Sequence, residues 1–158
     1  MKFLEDIPVG EGVEIGSYLF TAENIKAFAS RFDPQPFHMD EKAAAQTHFG
    51  GLCASGWHTA SVWMRLTIDH RRREVEEQQA RGEAIAKSGP SPGFRDMKWL
   101  KPVYAGDTVT YRNEIIDKRA SASKPGWGLI TSQITGRNQH GDLVFSFIST
   151  AFLQRRPA

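Results

Sequence analysis

Between residues 28 and 45 the chain reads FASRFDPQPFHMDEKAAA, which sets a carboxylate, Asp33, and an imidazole, His38, on either side of two prolines. Pro34 and Pro36 fix their own φ and push their predecessors, Asp33 and Gln35, toward extended backbone. Four successive residues therefore have little freedom. A carboxylate and an imidazole held on so stiff a loop lose little conformational entropy when they converge on one water or one substrate proton, as general acid-base catalysis requires. The bland alternative is a turn between two helices, with Asp33 as a cap and His38 as a packed side chain. A second candidate pair follows at Ser55 and Gly56, just before a long apolar stretch. Ser55 is a natural N-cap. Gly56 then offers a backbone N–H with the positive end of a helix dipole behind it, suited to a developing oxyanion, or it merely starts the helix.

Other reactive residue types are less suggestive. His58 falls on the first turn of that helix and reads as packed or half-exposed. His48, His70 and His140 have no spacing of metal ligands. A lone Cys53 is more often a small hydrophobe than a nucleophile. Trp57 and Trp63 read as core. The basic run Arg71 to Arg73 could meet phosphates, but Glu74, Glu76 and Glu77 follow it and favour a solvated helix face.

The elements that position these residues follow from periodicity. Ala22, Ile25, Phe28, Ala29 and Phe32 recur at helical spacing behind Thr21 as N-cap. A short helix is expected from Asp40 through Ala43 to Ala45, ended by Gly50 and Gly51. The segment WHTASVWMRLTIDH is apolar around most of its circumference and predicts a buried helix, with RRREVEEQQARGEAIAKSGPSPG as its frayed end and a loop. Strands are expected over Phe94–Leu100, Thr108–Asp117, Trp127–Arg137 and Leu143–Leu153, joined as antiparallel hairpins. Both faces of the last strand carry apolar groups, one to cover the helix and one to meet a second subunit.

Composition limits the rest. The 158 residues make a single domain, 1–158, the expected organisation. A net charge of +2, from 20 Lys and Arg against 18 Asp and Glu, argues against a nucleic-acid footprint. One cysteine forms no internal disulfide, the N-terminus lacks the basic and apolar signature of a signal peptide, and no apolar run approaches the roughly 20 residues of a membrane span. A cytoplasmic location is the expectation.

The order of a helix, DPQPFH, an Ala-rich helix, FGGLCASGWHT, a buried helix and then WLKPVYAGDTV with closing hairpins resembles the MaoC-like acyl dehydratases, from about Glu14 to Phe152. Asp33, Pro36 and His38 match that family's D-x-N-P-x-H segment, and Gly56 its later glycine. Gln35 stands where the family usually has Asn, and Ser55 where many members have His. The resemblance implies an α+β hotdog fold, an antiparallel sheet wrapped around a long central helix. It also implies a hydro-lyase that adds water to a 2-enoyl-CoA, or removes it from a 3-hydroxyacyl-CoA, through an Asp33/His38 dyad. Gly56 and Ser55 would face the thioester. No cofactor is implied beyond the coenzyme A of the substrate, and no nucleic acid or membrane; a homodimer is, with the pocket shared between protomers. A non-catalytic acyl-CoA-binding module and, with less support, a thioesterase are the alternatives.

Overall fold

The computed structural model describes residues 1–157. A 3-10 turn at Leu4–Asp6 leads into strand β1 (Gly12–Leu19), which periodicity alone had not suggested. The helices α1 (Ala22–Phe32), α2 (Pro36–Met39), α3 (Glu41–Ala45) and α4 (Gly56–Ala80) follow, then β2 (Gly93–Trp99), β3 (Thr108–Ala120), β4 (Trp127–Arg137) and β5 (Leu143–Gln154). The five strands form one antiparallel sheet in the order β1-β3-β4-β5-β2, wrapped on α4 as a hotdog fold requires.

Local chemistry accounts for most boundaries. Thr21 Oγ1 accepts from the Asn24 N–H and Asp40 accepts from the Ala43 N–H, capping α1 and α3. Pro36, expected in a stiff loop, instead opens a helix. It is the first residue of α2, where its fixed φ suits the first turn and its missing N–H would have had no partner. The charged RRREVEEQQA stretch is likewise helical through Ala80 rather than frayed, and the turn before it carries the pair Arg65 to Asp69 at 2.7 Å. Gly82, at φ +67°, ends the turn.

The central helix is buried on one face, not all round. Thr59, Val62, Trp63 and Thr67 pack inward, whereas Trp57, Met64 and Ile68 are exposed, so Trp63 is core and Trp57 is not. The sheet covers a single side of the helix. Gly16 of β1 lies against it, and a Cβ there would come within 3.2 Å of Leu66. Nor is β2 a hairpin partner of β3. The segment 100–107 carries the chain away, and β2 pairs with β5 at the edge of the sheet.

On β5 both Val144 and Phe145 are buried, because the register slips between Gly136 and Arg137 and turns two successive side chains inward. On its outer side Ile148, Thr150 and Phe152 are half-buried. Phe152 is covered there by Gly89 and by the Lys124 ammonium, 4.9 Å from the ring centroid. Among the described residues no helix is long and apolar enough to cross a membrane.

Candidate active site

Asp33 ends α1, its N–H bonded to the Ala29 carbonyl at 2.9 Å, with φ −155° and ψ 66°. Gln35 is extended at φ −79° and ψ 146°, and Pro36 turns the chain into α2. His38 is thereby swung under Asp33: its Nε2 lies 3.4 Å from Asp33 Oδ2. The imidazole is buried and the carboxylate half-buried.

The segment Leu52–Ser55, made of small and apolar residues, completes the floor. Its ladder is the Ala54 N–H to the Val103 carbonyl at 2.7 Å and the Ala105 N–H to the Leu52 carbonyl at 3.0 Å. So pinned, the Cys53 carbonyl accepts from His38 Nδ1 at 2.7 Å. A carbonyl only accepts, so Nδ1 carries a hydrogen; with the ring neutral, Nε2 is an acceptor facing Asp33, and with the ring protonated it is a donor to the carboxylate. In the neutral form the two acceptors, 3.4 Å apart, cannot bond each other and frame a position for a molecule with two O–H or N–H donors.

Asp33 is held from both sides. Ser55 Oγ donates to Oδ2 at 2.7 Å and Gln35 Nε2 donates to Oδ1 at 2.7 Å. Burial pushes the carboxyl up, but these two hydrogen bonds and the neighbouring His38 outweigh it and hold Asp33 below its ordinary value. Ser55 also accepts from the Trp57 N–H at 3.2 Å and so caps α4. Its hydroxyl hydrogen points at the carboxylate.

Asp33, His38, Ser55 and Gly56 all line one cavity of about 380 Å³, whose apolar walls include Phe37, Phe49, Leu100 and Val144. Gly56 is the first residue of α4, and among the described residues its N–H meets no acceptor. Trp99 is the neighbour that sequence reasoning missed. Its Nε1 donates to the Gly56 carbonyl at 2.8 Å, and a Cβ on Gly56 would lie 2.6 Å from the indole. No spacing in the sequence connects two residues 43 positions apart.

Of the remaining candidates, Cys53 lines the same cavity and His58 does not. His58 is buried, stacked on Phe28 at 4.6 Å and edge-on to Phe20 and Tyr18. Burial, and secondarily the charge of His38, push it down to about 4. Burial pushes the Cys53 thiol up to about 11, so it is no thiolate at neutral pH.

A sequence profile described as "MaoC like domain" matches residues 7–134, most of the chain. The chain belongs to the MaoC-like domain family. Similar MaoC-like structures include the MaoC-like dehydratase from Rhodospirillum rubrum, at 32% identity and a TM-score of 0.79, with 100% of both chains covered. Among curated proteins, the uncharacterized protein YdeM of Bacillus subtilis is 27% identical over 152 residues, 96% of this chain and 99% of its own. The mesaconyl-CoA hydratase of Haloarcula marismortui is 24% identical over 123 residues, 63% of this chain. The MaoC-like chain spans only 34% of that hydratase's length.

Proposed function

We propose that the protein is a hydro-lyase acting on acyl thioesters of coenzyme A, with Asp33 and His38 as its catalytic pair. The observation that carries this reading is the pair itself: a carboxylate oxygen and an imidazole nitrogen, both acceptors when the ring is neutral, 3.4 Å apart in a cavity of otherwise largely apolar walls. A water donating one hydrogen to each would present its oxygen lone pair to the cavity. In hydration Asp33 takes a proton as that oxygen bonds to the β-carbon of a 2-enoyl thioester. A proton then reaches the α-carbon from the pair, with His38 taking part in the transfer, and water has added across the double bond with no net change in protons. The Gly56 N–H and the α4 dipole would meet the charge that builds on the thioester oxygen.

A pure acyl-CoA binder has no use for so constrained a pair. The similarity to a mesaconyl-CoA hydratase supports the hydratase reading over the thioesterase one. The exposed apolar side chains Trp57, Met64 and Ile68 on α4, with Phe94 and Trp99 on the edge strand, support a homodimer in which a second copy covers this flank. The test is incubation of the protein with short, medium, branched and dicarboxylic enoyl-CoA thioesters, following loss of the conjugated enoyl absorbance. Turnover that falls by about 10²-fold or more in folded Asp33→Asn and His38→Gln supports the assignment. No turnover with any member of the panel would favour the binder.

A further inference from the structure

A second cavity, of about 250 Å³, opens between α4, the N-terminal segment and strands β1, β3 and β4. It shares no lining residue with the Asp33 cavity. Arg71, on its wall, stands about 22 Å along α4 from Gly56 at 1.5 Å per residue. Much of the lining is apolar, with Val13, Ile15, Ile115 and Ile130 facing the space.

Among the polar groups of that lining, Thr67 and Arg71 bear most directly on a ligand. Thr67 is 3% exposed, and its Oγ1 has no hydrogen-bond partner. Arg71 is half-buried, and among the described residues its guanidinium enters no ion pair and no hydrogen bond. Burial pulls Arg71 down from its ordinary value, with the Glu74 carboxylate opposing. Glu74 lines the same cavity but makes its contact with His70 Nε2, at 3.9 Å. Holding the Thr67 hydroxyl away from water without a partner costs free energy, and an acceptor supplied from outside, within reach of the half-buried Arg71 as well, would recover it.

The wall is built rather than loose. Lys118 Nζ donates to the carbonyls of Leu4, Glu5 and Ile7 at 3.0, 3.0 and 2.6 Å, which fixes the N-terminal segment over the sheet. Lys2 and Arg71 are offset at the lining by Glu11 and Glu74, so no long-range field draws an anion in. The match is local, between a guanidinium fork and a planar pair of oxygens. At roughly 30 Å³ for each water-sized group the space holds about eight non-hydrogen atoms.

We propose that this cavity is a second ligand site, which takes a small apolar carboxylate with its head group on Arg71 and Thr67 and its hydrocarbon part among Val13, Ile15, Ile115 and Ile130. The site is independent of the chemistry assigned to Asp33 and His38.

The probe is hexanoate, of eight non-hydrogen atoms, titrated into the full chain by calorimetry, with 1-hexanol as its neutral counterpart. Saturable binding of hexanoate is expected, weakened about tenfold or more in Arg71→Gln and in Thr67→Val, with hexanol binding more weakly than the acid. Thr67→Val is also expected to raise the melting temperature without ligand, since it removes the unpartnered hydroxyl. Val13→Trp fills the mouth from an exposed position and should block binding even if the buried variants fold poorly. The proposal is overturned if hexanoate shows no saturable binding, or if hexanol binds as tightly. It also fails if affinity survives Arg71→Gln and Val13→Trp, or is lost in Asp33→Asn instead.

Discussion

The Ser55 hydroxyl donates to Asp33 Oδ2 at 2.7 Å while accepting from the Trp57 N–H at 3.2 Å, so the cap of the central helix is also a clamp on the carboxylate. Gln35 closes on the other oxygen. Both residues depart from the family's usual pattern, and both departures end on the same group. Ser55→Ala removes a donor to the charged carboxylate. The Asp33 pKa should rise, and the acid limb of the pH profile of kcat/KM should move to higher pH, with kcat down about tenfold. The lost cap should cost about 1 kcal/mol of stability. Gln35→Leu should shift the acid limb the same way. An acid limb unmoved in both variants would contradict the clamp.

Gly56→Ala tests two roles at once, and Trp99 separates them. The added methyl would meet the indole at 2.6 Å, so the single variant should lose about 1–3 kcal/mol through overpacking. Trp99→Leu vacates that space, and thermal melts of the double variant should show less than additive loss. If the Gly56 N–H serves the thioester oxygen, kcat in the double variant stays about 10²-fold or more below that of Trp99→Leu alone. Equal kcat in the two would leave Gly56 a purely structural glycine.

His58 makes stability depend on pH. In the fold its pKa is about 4, whereas in the unfolded chain it is near 6.5, so between these values the unfolded chain binds the proton first. Stability falls as pH drops through this window, by at most about 1.4 kcal/mol per unit. His58→Phe preserves the stack on Phe28 without the titration. Its melting temperature should fall less between pH 7 and pH 5 than that of the parent, and equal falls would refute the assignment.

Assembly is read most directly on α4. Met64→Lys with Ile68→Lys places two charges on the exposed apolar stripe, away from the Asp33 cavity. Light scattering at assay concentration should show the parent as a dimer and this variant shifted toward monomer. A parent that is monomeric and fully active would rule out the shared pocket.

Much of the architecture was legible because its signals are local. Thr21, Asp40 and Ser55 each stand at a helix start and accept the capping N–H, and Trp127–Arg137 was bounded correctly by its turns. Strand β1 was not, since GVEIGSYL shows neither clean alternation nor a strong apolar run, and its pairing partner lies near residue 110. The helical start at Pro36 was missed because the two prolines were read only as stiffening a loop, without proline's fitness for a helix's first position. At the site, the prolines announced a stiff Asp33 and His38. They carried no trace of Ser55, Cys53 or Trp99, which arrive by tertiary contact from 22, 15 and 43 positions away from the groups they bond.

Trp99 closes the edge strand β2, whose outer row of backbone groups has no partner within the sheet, and the same indole rests on Gly56. One wall of the Asp33 cavity is therefore carried on an edge strand of the sheet. A strand or helix of another copy laid along that edge would set the tilt of the ring, and with it the width of the entrance. Specific activity would then be a function of protein concentration, and dilution would act as an inhibitor without any molecule being added.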